Sequence, residues 1–387
     1  MMLAKACPGV QRVPSNTTQW LGLMNELSGM GGPKLDLLSV LVVEDSAFIR
    51  NVLTATLRAI GVGSVHGEPG GVEAIRFLEE RRASLPPGTA PVDLIISDLV
   101  MPDVDGLMLL RWVRYSPKSP DRFLPVLMLS GAADRGYVEQ ARDLGATDFI
   151  AKPFSAGTIA NRLMAAIARP RRFVLAKGYF GPDRRRSERP VAMDCRMTGP
   201  GEILVVHSKS KATGIDRYPV VYFELPNRLG AKMGIAPKDP VPVLPDEVLA
   251  AADAEIQSRA GDYAVWIGAE VEELARRVER LRAEPAAVPA LMAQINRTAH
   301  EMRGQGGIFG YPLITQIAKS LYEATHGTVV TITAKEHLLF KAHVDAIKAV
   351  MNGRISGDGG TTGKQLLASL DVAKKKYAKT DGDAEPA

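Results

Sequence analysis

The sequence predicts an α/β doubly wound domain on a five-stranded parallel sheet, followed by a C-terminal all-α helical bundle. Three observations carry this. Between residues 37 and 168, short apolar runs alternate with helical patterns of roughly 10 to 15 residues, as repeated βαβ units require. After Ala168 the alternation stops in a stretch crowded with arginine and proline. From Pro245 onward Ala, Leu, Glu and Arg dominate, with breaks near Gly261, Pro285, Pro312, Gly327 and Gly353, which suits antiparallel helices joined by short connections.

Taken in order, residues 1–36 read as a flexible lead-in with glycine and proline near its end. Residues 37–168 hold five strand candidates: Ser39 to Val43, Gly63 to His66, Asp93 to Ser97, Pro125 to Leu129 and Asp148 to Ala151. Right-handed crossovers put helices on both faces of such a sheet and collect ligands at the carboxyl ends of its strands. Residues 169–244 read as a basic linker and an unassigned segment, whose two β-rich runs, Ile203 to His207 and Val220 to Glu224, are too few for an independent sheet. Residues 245–378 form the bundle, and residues 379–387 a polar, disordered tail.

Composition narrows the function classes. With 46% apolar and 24% charged residues the chain can fill cores and solvate surfaces, which argues against a disordered protein. No apolar run approaches the roughly 18 to 20 residues that span a bilayer, so a cytoplasmic location is expected and no membrane partner. Cys7 and Cys195 are far apart and lack zinc-site spacing, so they read as reduced thiols. The net charge of +5 traces largely to the stretch from Arg169 to Arg189, which does not lie on a helical face. Nucleic acid is therefore not expected as a partner, although a DNA-binding regulator stays open as a weaker reading. The arginines of "YFGPDRRR" are expected to stay solvated.

The polar residues at the strand ends point to chemistry. Glu44 and Asp45 follow the first strand, Asp98 closes the third, Ser130 closes the fourth and Lys152 ends the fifth in "AKPF". Three carboxylates on one rim repel by about 4 kcal/mol per pair at ~4 Å and an effective dielectric of ~20. A divalent cation relieves that repulsion, and Mg²⁺ is the expected cofactor because oxygen ligands and phosphoryl oxygens suit its small octahedral shell. Asp45 and Asp98 are the expected direct ligands, with Glu44 acting through water and the Val100 carbonyl adding an oxygen. Asp98 is the expected phosphoryl acceptor, Lys152 offsets charge on the transferred group, and Ser130 donates to it and drags the following loop. Singly, each residue also reads as a solvated strand end, a helix cap or a surface charge.

"VVEDS", "DLVMPDVDG", the strand-end Ser130 and "KPF" resemble the receiver domain of bacterial response regulators, over about a third of the chain. The resemblance implies the strand order 2-1-3-4-5 and a signalling phosphoacceptor rather than an enzyme with a substrate of its own. It also implies a sensor histidine kinase or a phosphotransfer protein as partner. Phe149 stands where many receivers carry a switch tyrosine, so an aromatic switch keeps its ring and lacks the hydroxyl. Val100 and Ala132, two residues past Asp98 and Ser130, are apolar and cannot orient a hydrolytic water, so a long-lived aspartyl phosphate is expected.

In the bundle, Val288, Leu291, Met292, Ile295, Ala299, Met302 and Gly306 make one apolar stripe, and His300 lies just off it. The run "AHEMRGQGGIFG" resembles the histidine phosphotransfer domain, which implies that His300 carries phosphoryl, that Arg303 neutralises it, and that Gly304 and Gly307 let a partner receiver approach. Met302 and Gly310 fit the same pattern. No kinase-type nucleotide loop is visible, so phosphate is expected from another protein or a small donor. The alternative is a binding or dimerisation module with an inert histidine. The oligomeric state is not legible.

Overall fold

The computed structural model describes residues 33–86, 89–131, 135–184, 195–197, 203–207, 219–223, 225–327 and 330–377. Residues 1–32 of the lead-in, Ala132 and the final tail lie outside them, and the end of the lead-in enters a 3-10 turn at Leu35–Leu37. The first sheet is formed by β1 (Ser39–Val43), β2 (Ser64–Glu68), β3 (Leu94–Asp98), β4 (Val126–Gly131) and β5 (Asp148–Lys152) in the order β2-β1-β3-β4-β5, all parallel. Its crossovers are α1 (Ala47–Ala59), α2 (Gly71–Ser84), α3 (Gly106–Tyr115) and α4 (Arg135–Leu144), and α5 (Ala156–Ala168) follows β5. The doubly wound fold and strand order expected from the sequence are the ones observed.

The period of two along each strand divides the core. Val40 and Val42 of β1 face one side with Leu53 and Leu57 of α1 and Leu163 and Ile167 of α5. Leu41 and Val43 face the other with Leu78 of α2, Leu110 of α3 and Ala141 of α4. Because β3 is buried on both faces, its run of apolar residues is continuous rather than alternating. Helix starts are set by short polar side chains: Ser46, Asp105 and Ser155 each accept from a backbone N–H in the first turn of α1, α3 and α5.

The segment after α5 departs from the sequence expectation. Its basic stretch contributes β6 (Phe173–Ala176) and β7 (Tyr179–Pro182), which join β8 (Cys195–Met197), β9 (Ile203–His207) and β10 (Pro219–Phe223) in a five-stranded antiparallel sheet, order β7-β6-β10-β9-β8. Strands of four residues show only two side chains per face, too few for a visible period. They are held instead by partners far along the chain. Phe123 of the first domain meets Phe173, Phe180 and Phe223 at ring-centroid distances of 5.0, 5.3 and 5.4 Å. Beside them Arg114, fully buried, donates to the carbonyls of Gly145, Arg122 and Leu124. Arg184 of "YFGPDRRR" is not simply solvated: it pairs with Asp143 and lies 4.5 Å from the Tyr179 ring centroid.

The remaining helices are α6 (Arg228–Lys232), α7 (Asp246–Ser258), α8 (Ala260–Ala283), α9 (Val288–Gln305), α10 (Pro312–Ala324), α11 (Ala334–Asn352) and α12 (Gly360–Tyr377). Helices α8 to α11 pack as a bundle and α12 flanks α11. A capping box, Thr333 with Glu336, starts α11. Helix α7 packs on α1 and α5, so the apolar core behind the parallel sheet continues through Ala252 and Ile256 into Tyr263, Ile267 and the bundle interior. No helix among the described residues is long and apolar enough to cross a membrane.

Candidate functional site: an acidic pocket covered by a helix of the same chain

The carboxyl ends of β1, β3, β4 and β5 meet at one rim, as expected of a doubly wound sheet. Glu44, Asp45 and Asp98 each bring a carboxylate oxygen within 4.8 Å of the others. Lys152 reaches across from the end of β5, its Nζ donating to Asp98 Oδ2 at 2.7 Å and to Glu44 Oε2 at 3.0 Å. The backbone N–H of Leu99 holds Asp98 Oδ1 at 2.7 Å, and that of Ser46 holds Asp45 Oδ1 at 3.0 Å. Ser130 is buried at the end of β4, where its residue pairs with Ala151. Gly106, which opens α3, leaves the room this needs: a Cβ there would lie 2.0 Å from the Asp98 carbonyl oxygen.

Burial pushes the Glu44 carboxyl up to about 8, against the pull of Lys152 and with the help of the Asp98 and Asp45 charges. For Lys152, burial alone would lower the ammonium, but Asp98 and Glu44 more than reverse this and hold it above its ordinary range. The cluster thus has more buried negative charge than one lysine offsets, and its donors are all hard oxygens. A small divalent cation fits that set. Phe149 of β5 is half-buried and packs on the core shared with α2 to α4, and Val100 flanks the same core.

The second candidate cluster is brought to the first. On α9, Arg297 donates from Nη2 to Asp45 Oδ2 at 2.5 Å, across 252 residues of sequence. Two turns on, a Cβ at Gly304 would lie 3.2 Å from Lys152 Cδ, and one at Gly307 would lie 2.9 Å from Pro153 Cγ. Arg297, His300 and Gly304 share one side of α9 at about 3.6 residues per turn, and Gly307 follows two residues past its end. Glu301 also faces the rim, where burial and the Asp45 charge push its carboxyl up to about 7 while Arg297 opposes the rise. Phe48 of α1 completes the contact, with ring centroids 5.8 Å from Trp266, 5.9 Å from Tyr263 and 5.1 Å from Phe309. Asp253 of α7 accepts from the Ala156 N–H at the start of α5.

His300 therefore does not stand on an open face. It is 7% exposed, its ring meets Tyr322 edge-on, and its Nδ1 lies 3.2 Å from Arg303 Nη2. A guanidinium has only donors, so Nδ1 accepts and the proton of the neutral imidazole sits on Nε2. Arg303, itself buried, lies 4.6 Å from the Tyr322 ring centroid. Arg297, Phe48 and Asp253 were not singled out from the sequence. Only the spacing of Arg297, Gly304 and Gly307 on α9 could have flagged the first.

Comparison with known proteins bears on the first cluster. Residues 40–164 match the family profile of the response regulator receiver domain. This segment is a receiver domain. The "Probable transcriptional regulatory protein" of Picosynechococcus sp. is 32% identical over 130 residues, 34% of this chain and 49% of that protein. The transcriptional regulatory protein PdtaR of Mycobacterium tuberculosis is 34% identical over 140 residues, 36% of this chain and 61% of that protein. The chain thus spans about half to three fifths of the length of these curated relatives. Among solved structures, the receiver domain of a Pseudomonas aeruginosa sensor histidine kinase, described with magnesium coordinated in its active-site cleft, is 28% identical with a TM-score of 0.28. That match covers 33% of this chain and 94% of that one.

Proposed function

We propose that the chain is a phosphorylation-dependent signalling protein in which Asp98 of the receiver domain accepts a phosphoryl group and the C-terminal bundle carries the response. The observation that carries this reading is the arrangement of Asp98, Glu44, Asp45 and Lys152 on one rim. In the transfer, an Asp98 carboxylate oxygen forms a bond to phosphorus while the donor's bond to phosphorus breaks, and from a phosphohistidine the leaving imidazole recovers a proton from solvent. Lys152 would offset charge on the transferred group, and Ser130 would donate to it. Glu44, Asp45, Asp98 and the Val100 carbonyl would hold Mg²⁺, which supplies charge neutralisation at the phosphoryl oxygens when bound. The donor would be a sensor histidine kinase, a phosphotransfer protein or a small acyl phosphate. The relatives with transcriptional names are similar over about a third of this chain, so those names say nothing of what its bundle binds.

A second reading makes the chain a relay in which His300 exchanges phosphoryl with a receiver. Its support is that Gly304 and Gly307 let α9 lie close on a receiver pocket, here the chain's own. Against it, Arg303 occupies the imidazole lone pair, so transfer needs Arg303 to let go and the ring proton to move. Incubating wild type, Asp98→Ala and His300→Ala proteins with a labelled phosphodonor separates the readings. Base-labile label lost only in Asp98→Ala supports the first. Acid-labile, base-stable label lost in His300→Ala supports the relay.

A further inference from the structure

Within the rim, the two positive charges are divided unequally. Lys152 serves Asp98 and Glu44, whereas the Asp45 carboxylate pairs with Arg297 of α9. Asp45 is nearly enclosed, at 9% side-chain exposure, while Arg297 is 45% exposed and enters from the solvent side of the contact. The guanidinium therefore occupies Asp45 Oδ2, an oxygen of a carboxylate proposed to hold the metal. Its own release strands no charge, because Arg297 also pairs with Glu301 one turn along α9. Departure of α9 would moreover separate Glu301 from Asp45, which repel each other. The rest of the contact is close enough to respond as a unit, since the glycines at 304 and 307 seat α9 directly on Lys152 and Pro153.

We propose that Arg297 and a divalent cation are alternative countercharges for Asp45, so that the bundle docks in cis on the metal-free receiver pocket and metal loading loosens α9. This rests on the reading of the pocket as a metal site. A guanidinium bonded to one oxygen of a carboxylate and a doubly charged ion on the same carboxylate repel strongly at ~4 Å, so each weakens the other's binding. By linkage the effect is reciprocal: whatever removes Arg297 tightens the metal, and whatever binds the metal favours the undocked bundle. Phosphorylation at Asp98, by engaging Lys152, would act in the same direction on the contact at Gly304.

The test is a magnesium chloride titration of the full chain, followed by calorimetry and by the fluorescence of Trp266, which stacks on Phe48 across the contact. Trp20→Phe and Trp112→Phe in the background isolate that indole. Arg297→Ala is expected to bind magnesium about tenfold more tightly than wild type, with Arg297→Lys in between, and wild-type Trp266 emission is expected to shift red on saturation. Equal affinities in wild type and Arg297→Ala, with Asp45→Asn weakened, would overturn the competition and leave the metal reading standing. No magnesium binding by either protein would remove the metal reading and the competition together.

Discussion

At the scale of single residues, the pocket depends on charges that cannot be separated without cost. Lys152→Ala leaves Glu44 and Asp98 facing each other in a buried site, and breaking a buried pair in this way typically costs about 3 to 5 kcal/mol. Chemical denaturation is expected to show a loss of that order, with phosphorylation reduced as well. Asp98, Lys152, Glu44 and Asp45 were legible in the sequence because each ends or follows a strand, and the order of strands brings those ends together. Arg297 was not legible, because an arginine on a helix face looks the same whether it meets water or a carboxylate 252 residues away. His300 was read from its neighbours as a phosphorylatable imidazole, and those neighbours did not reveal that Tyr322 and Arg303 pack over the ring.

At the scale of elements, helices were far more legible than the second sheet. A helix such as α9 repeats its apolar stripe over five turns, whereas β6 and β7 depend on the Arg114 guanidinium over the Phe173 ring and on the Phe123 ring, both from the first domain. Two predictions belong here. Gly307→Val places bulk against Pro153, where even a Cβ would lie only 2.9 Å from Cγ, and should lift α9 from the receiver, seen as increased solvent exposure of Trp266. The second concerns His343 of α11, buried between Ser320 Oγ and the Leu339 carbonyl. Burial holds its imidazole below the ordinary 6.5, with the Lys374 charge adding to this and the Leu339 bond opposing it. The unfolded chain therefore takes up a proton that the folded bundle resists, and the stability present above pH 6.5 falls as pH drops below it. Denaturation midpoints at about pH 7.5 and about pH 5.5 should differ more in wild type than in His343→Gln.

At the scale of the whole molecule, one apolar core runs from behind the parallel sheet through α7 into the bundle, so receiver and bundle should not melt independently. A single calorimetric transition is expected, and Phe340→Ala in the bundle should lower it by the equivalent of about 3 to 5 kcal/mol without splitting it. The change of pattern from one part to the other was visible in the sequence. Their association was not, since the surfaces of α1, α5 and α7 read separately as ordinary amphipathic faces. That association puts a helix of the chain over the pocket on which the proposed activity depends. The most direct test of that activity is the intact mass of the full chain after incubation with magnesium and a small acyl phosphate. Wild type should gain one phosphoryl group and Asp98→Ala none; a wild-type mass that stays unchanged, or an equal gain in Asp98→Ala, would contradict the assignment of Asp98 as the acceptor.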